Sequence, residues 1–118
     1  MIIAKCFEFE AAHQLPDQEC YGACGNLHGH TYKLIIEVEG QINEYGWVMN
    51  FKDLKSIVKT KVVDVLDHSF INDIIPLSTA ENIILWIEQQ IKADIEQYAK
   101  LKSIVLFETS NSYAKITY

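Results

Sequence analysis

Period-two alternation at both ends of the chain encloses two stretches of helical spacing, and this ordering constrains the fold more than any other feature. From His28 to Val38 the even positions are His28, His30, Tyr32, Leu34, Ile36 and Val38. The odd positions include Lys33, Glu37 and Glu39, with Ile35 as the exception. Alternate side chains of a strand point to opposite faces, so the segment reads as a strand with one face on a core. Residues 2–13 behave alike, with Ile3, Phe7, Phe9, Ala11 and His13 on one parity. A polar loop with Pro16, Asp17, Gly22 and Gly25 joins the two. Gly40 to Gly46 reads as a turn, and 47-WVMNF-51 as a short third strand.

Helical spacing follows. Leu54, Ile57, Val58, Val62, Val65 and Leu66 form one stripe, with Asp53 near its start as a cap. After Asn72–Pro76, 78-STAE-81 has the capping-box pattern, Ser78 as the cap and Glu81 three residues on. The second helix is expected to run to about Tyr98, with Ile84, Ile87, Ile91 and Ile95 inward. Two strands close the chain, near 103–108 and 112–118, around the turn 109-TSNS-112. The order is β-β-β-α-α-β-β, or β-β-α-α-β-β without the short third strand. Consecutive helices between hairpins predict an α+β fold, an antiparallel sheet with both helices packed on one face. The other face and the sheet edges then need cover, which a subunit interface supplies.

A length of 118 residues fits one domain spanning 1–118, and 49% hydrophobic residues suffice for a core. Sixteen acidic residues oppose ten lysines and no arginine, giving a net charge of −6. That balance argues against a nucleic-acid partner, which needs a basic face. The first residues, MIIAKCFEFEAAHQLP, contain Lys5, Glu8 and Glu10 and lack the plan of a signal peptide. No apolar run approaches a membrane span. The cysteines, Cys6, Cys20 and Cys24, are expected to be reduced thiols, and the location cytoplasmic.

The chemistry concentrates in 24-CGNLHGH-30. His28 and His30 are two apart on a strand, so their imidazoles project side by side, and Gly29 between them leaves room for a close approach. His13 ends the first strand on its inward parity. Three neutral imidazoles make a metal site with a fourth position open, the arrangement of catalytic rather than structural zinc. Two other readings stand beside it. The histidines can be polar loop or satisfied core residues. Alternatively Cys20, Cys24, His28 and His30 can form a closed Cys₂His₂ site in a zinc-stabilised binding module, which leaves His13 unexplained.

Cys24 is the soft nucleophile or base beside these histidines, where a neighbouring cation favours the thiolate. Burial as a small hydrophobe suits Cys6 better, and Cys20 reads as a bystander. In 66-LDHSFIN-72, Asp67 and His68 follow a helix whose terminus favours the histidine and opposes the aspartate. The pair can hold an imidazole in one tautomer and shuttle a proton, or can be end-of-helix chemistry alone. Glu108 shares parity with Ile104 and Leu106. It either turns to water at a frayed strand end or offers paired hydrogen-bond acceptors to a flat nitrogen-rich ligand.

With 9-FEAAH-13, 24-CGNLHGH-30, 66-LDHSFIN-72, 78-STAEN-82 and 108-ET-109 assembled, the chain resembles the 6-pyruvoyl-tetrahydropterin synthase superfamily of the tunnelling fold. Three residues between Cys24 and the HGH point to its 6-carboxy-5,6,7,8-tetrahydropterin synthase branch, which serves queuosine biosynthesis. The pyruvoyl-forming branch is similar but has a longer gap. The resemblance implies His13, His28 and His30 as zinc ligands, Cys24 as catalytic base and Asp67 with His68 as its proton relay. It implies Glu108 as the pterin anchor, with Thr79 nearby, and Glu81 within the matching motif as a substrate contact or a helix cap. The implied substrate is 7,8-dihydroneopterin triphosphate, a small pterin converted to carboxytetrahydropterin, acetaldehyde and triphosphate. Members are usually homohexamers with active sites shared between subunits. The chain departs from the pattern at Asn50, where aspartate is common, and at Ala80, where some relatives carry a small hydroxyl residue.

Overall fold

In the computed structural model, which describes residues 1–118, the first two strands pair along their whole length. β1 (Ile2–His13) and β2 (His28–Glu39) run antiparallel, from Ile2 opposite Glu39 to His13 opposite His28. β3 (Lys100–Thr109) and β4 (Ser112–Thr117) extend the sheet in the order β1-β2-β3-β4, all antiparallel. The alternation in β1 and β2 is realised as expected: Phe9 and Ala11, then Tyr32, Leu34, Ile36 and Val38, are buried on one face.

That face is covered by helices. α1 (Phe51–Val58) continues through a π turn (Lys59–Val63) into the short α2 (Asp64–Leu66), and α3 (Ala80–Ile95) follows. Leu54, Val58, Val62 and Leu66 are fully buried at a four-residue spacing, whereas Val65 is exposed. α3 buries Ile83, Ile84, Ile87, Ile91 and Ile95. All of these share one core cluster with the inward residues of the sheet. Each buried isoleucine contributes about 1.5–3 kcal/mol relative to exposure. The result is an α+β fold with both helical stretches on one face of an antiparallel sheet. No helix is long and apolar enough to cross a membrane.

Four local expectations are corrected. Residues 47–49 form bends rather than a third strand, and Phe51 opens α1. Val48 and Met49 are buried because the loop packs them on the core, not because they pair. The cap of α1 is Asn50, whose side chain accepts from the Lys52 N–H at 2.9 Å, not Asp53. The cap of α3 is Thr79, which accepts from the Asn82 N–H at 3.3 Å. Ser78, expected in that role, is instead buried and turned toward His13. Cys6 is exposed rather than buried, since its parity opposes that of Phe7 and Phe9 and places it on the uncovered sheet face.

Both edge strands, β1 and β4, have a free side, and only the end of β1 is covered. There the segment after α2 docks: the His68 N–H donates to the Glu10 carbonyl at 2.6 Å, and the Ala12 N–H to the Ser69 carbonyl at 3.0 Å. Asn72 extends the clamp. Its side chain accepts from the Gln14 N–H at 3.0 Å and donates to the Gln14 carbonyl at 2.7 Å. The last turn of β1, which carries His13, is thereby fixed between β2 and this segment.

Candidate metal centre

His13, His28 and His30 converge at the end of the helix-covered face of the sheet. One ligand atom from each lies within 4.8 Å of the others. Strand register brings them together, because His13 pairs opposite His28 and His30 shares the face two residues on. The ring centroids of His13 and His28 are 4.5 Å apart, those of His28 and His30 4.8 Å, and those of His13 and His30 5.1 Å. The rings meet edge to face, which directs nitrogen atoms inward instead of stacking the rings.

Two rings have their protons assigned by carbonyl partners. His13 Nδ1 lies 2.8 Å from the Ser78 carbonyl, and His28 Nδ1 lies 2.7 Å from the Asn26 carbonyl. A carbonyl accepts only, so each Nδ1 carries the hydrogen and each Nε2 keeps its lone pair. His13 Nε2 and His30 Nε2 are buried and have no hydrogen-bond partner. An orphaned buried acceptor is costly unless something satisfies it. Desolvation holds the imidazoles of His13 and His30 below their ordinary pKa, so both favour the neutral form that binds a metal. Three converging imidazoles, two of them with buried and unpartnered nitrogens, suit a metal ion of the borderline class. Cys20 and Cys24 stand outside this group, so the histidines converge without the thiols that a closed Cys₂His₂ site needs.

Cys24 lies in the 3₁₀ segment Glu19–Gly25 and is exposed. It is tied down through its main chain, where the carbonyl accepts from the Leu15 N–H at 2.7 Å. Gly22, at φ 53°, kinks this segment in a conformation that suits glycine. Gly29 has a weaker requirement: a Cβ there would be 3.6 Å from the Ala11 carbonyl, an ordinary contact. The chain's own packing therefore does not demand a glycine between the histidines.

Asp67 and His68 form a pair, with His68 Nδ1 3.0 Å from Asp67 Oδ2. The aspartate at the helix end has its reason here. Its Oδ1 accepts from the Glu10 N–H on the β1 edge at 2.9 Å, and this bond, with His68, holds the carboxyl below its usual range. His68 adopts φ 57°, a left-handed conformation uncommon outside glycine, though histidine, with asparagine and aspartate, is among the residues that enter it most readily. His68 and His30 line one cleft along the β1 edge. Within one chain neither Asp67 nor His68 is joined to Cys24.

Glu108 is directed inward. Its Oε1 lies 3.7 Å from His30 Nε2 and its Oε2 4.0 Å from His13 Nε2. It borders a cleft of about 540 Å³ with His30, Thr31 and Lys33, and a second of about 280 Å³ with Thr79, Ala80 and Glu81. The model of the 6-pyruvoyl tetrahydropterin synthase family matches residues 2–118. The chain belongs to this family. Members include the 6-carboxy-5,6,7,8-tetrahydropterin synthase of Haemophilus influenzae, 36% identical with 96% of each chain covered. The dihydroneopterin monophosphate aldolase of Pyrococcus furiosus is 42% identical over 85% of this chain and 82% of that one. The solved 6-pyruvoyl tetrahydropterin synthase of Caenorhabditis elegans superposes with a TM-score of 0.89 at 22% identity, covering 100% of this chain and 95% of that one. At that identity it bears on the fold.

Two contributors in this family member went unread in the sequence. Ser78 orients His13, and Asn72 pins the backbone beside it. Neither carries a spacing signal, since both partners are main-chain or distant in sequence.

Proposed function

We propose that the protein is a zinc-dependent lyase that converts 7,8-dihydroneopterin triphosphate to 6-carboxy-5,6,7,8-tetrahydropterin, acetaldehyde and triphosphate, in queuosine biosynthesis. The observation that carries this reading is the convergence of three histidines, two of them (His13 and His30) with buried, orphaned Nε2 atoms, beside an inward carboxylate. Similarity to the H. influenzae 6-carboxytetrahydropterin synthase over nearly the whole chain supports the branch.

His13, His28 and His30 would hold the zinc, which supplies a Lewis acid for the oxygens of the substrate's side chain. Glu108 accepts hydrogen bonds from the amino group and ring N–H of the pterin, with Thr79 and Glu81 lining the same cleft. Cys24 removes a carbon-bound proton, and His68, held by Asp67, relays protons. Since one chain keeps Cys24 apart from this pair, the reading places the complete site between copies in a homohexamer, joined through the free edges of β1 and β4. The chain acts as one domain in the cytoplasm, on a small molecule and with neither nucleic acid nor membrane as partner.

A second reading is favoured by the 42% identity to the aldolase that acts on a monophosphate. The chain has no arginine, and the cleft beside His30 offers Lys33 against Glu8 and Glu108, a poor match for a triphosphate. Product analysis by mass spectrometry separates these. Zinc-loaded protein is incubated with 7,8-dihydroneopterin triphosphate and, separately, with the monophosphate. Carboxytetrahydropterin and acetaldehyde from the triphosphate support the first reading, and a pyruvoyl product assigns the other branch. Cleavage of the monophosphate alone overturns the first reading for the aldolase.

A further inference from the structure

We propose that Glu108 is an exchangeable fourth ligand of the metal centre, closing it while no substrate is bound and leaving it when a pterin ring claims the carboxylate. The inference rests on the three-histidine metal site proposed above and adds a role that the substrate anchor alone does not include.

Geometry motivates it. The Glu108 oxygens lie 3.7 Å from His30 Nε2 and 4.0 Å from His13 Nε2, the same two buried nitrogens that lack any hydrogen-bond partner. The Ser78 carbonyl leaves His13 Nε2 as a lone pair, so this nitrogen and the carboxylate are both acceptors. Acceptors that converge with no donor between them repel, and a cation is what satisfies them together. In a tetrahedral site with metal–ligand bonds of about 2.1 Å, neighbouring donor atoms are about 3.4 Å apart. The separations to His30 and His13 exceed this by about 0.3 and 0.6 Å, each from a different carboxylate oxygen. His28 lies beyond 4.0 Å, so a χ adjustment at the end of β3 must carry one oxygen farther inward to complete the site.

The surroundings supply the exchange. Glu108 is 30% exposed and borders two clefts, one shared with His30 and the other with Thr79 and Glu81. The carboxylate stands on the wall between them and has two oxygens for two uses. A flat ring that takes both oxygens through parallel N–H bonds withdraws them from the metal. That frees one coordination position when a substrate oxygen is ready to fill it, and keeps the metal shielded otherwise.

The test uses the cobalt(II)- and zinc-loaded full chain. Wild type, Glu108→Gln, Glu108→Ala and the same-cleft charge control Glu8→Gln are compared. Zinc affinity comes from competition with a chelator, ligand geometry from the visible cobalt bands, and folding from thermal unfolding. Zinc affinity is expected to fall about tenfold or more in both Glu108 variants and to hold in Glu8→Gln. The cobalt bands should change in both Glu108 variants. Neopterin, its binding followed by its own fluorescence, should move the wild-type spectrum toward that of Glu108→Ala. Unchanged cobalt bands in folded Glu108 variants overturn the proposal whatever the affinity, because the carboxylate then acts only through its field. Bound neopterin that leaves the wild-type bands unchanged overturns the exchange. A wild-type protein that takes up neither metal overturns the three-histidine reading as well, a distinct result.

Discussion

His13 and Ser78 meet across 65 residues of sequence, the imidazole Nδ1 lying 2.8 Å from the serine carbonyl and 3.1 Å from its hydroxyl. The carbonyl sets the tautomer, and the hydroxyl, also 3.3 Å from Asn72 Oδ1, links the ring to the clamp on β1. Ser78→Ala removes the hydroxyl and keeps the carbonyl. The variant should lose about 1 kcal/mol of stability. Its metal affinity should fall by about tenfold at most, at the low end for an outer-shell partner. Denaturant unfolding and chelator competition check the two parts. A larger loss of metal would mean that the hydroxyl, not the carbonyl, orients the ring.

Cys24 provides a sharper division. The histidines converge without it, and its thiol is free and exposed. Cys24→Ala is therefore expected to keep stoichiometric zinc while turnover falls by about 100-fold or more, as for loss of a general base. His13→Ala should do the reverse to metal and release it. Metal analysis after gel filtration, with the activity assay alongside, reads both. Zinc lost from Cys24→Ala and kept by His13→Ala would restore the closed Cys₂His₂ site.

What the sequence made legible follows from periodicity. β1, β2 and the inward face of α3 repeat every two or 3.6 residues, so Phe9, Leu34 and Ile87 could be placed inside before any coordinates. The histidines were legible for the same reason, since parity alone put His28 and His30 side by side. The failures lie where periodicity has no purchase. Trp47–Phe51 looks apolar enough for a strand, yet Asn50 caps a helix there, so a local side chain-to-backbone bond overrode the pattern. The shift of the α3 cap from Ser78 to Thr79 is a one-residue choice between two hydroxyls, decided by a tertiary partner, His13. Asp67 could not be explained from its own helix because its partner, the Glu10 N–H, lies 57 residues away.

That bond gives a pH prediction. The Asp67 carboxyl is lowered first by the Glu10 N–H and further by His68. A carboxyl whose folded pKa is depressed adds stability above its unfolded pKa of about 3.9, and that stability is lost as pH falls through the folded value. Asp67→Asn should thus be less stable than wild type at neutral pH. The difference should shrink as pH drops below about 4. Melting temperatures of both proteins across this range test the sign. A gap that widens toward acid would remove the carboxylate as its source.

Tyr32 offers the last prediction. It is fully buried, stacked on Phe9 at 5.1 Å, and its hydroxyl has no hydrogen-bond partner. Burial pushes its phenol well above the ordinary range, and the nearby Glu108 charge adds to that, so the ring is neutral throughout the working range. An unpaired buried hydroxyl contributes no bond to offset its desolvation. Tyr32→Phe keeps the packing against Phe9, His13 and His30 and removes only that group. The variant should be as stable as wild type or more stable by about 1 kcal/mol. Its metal affinity should be unchanged, because no histidine nitrogen depends on the phenol. A loss of stability above about 1 kcal/mol in urea unfolding would instead mean that the hydroxyl is bonded in solution. Repeating the measurement in Glu108→Ala would then show whether Glu108 is the partner, since the two losses would no longer add.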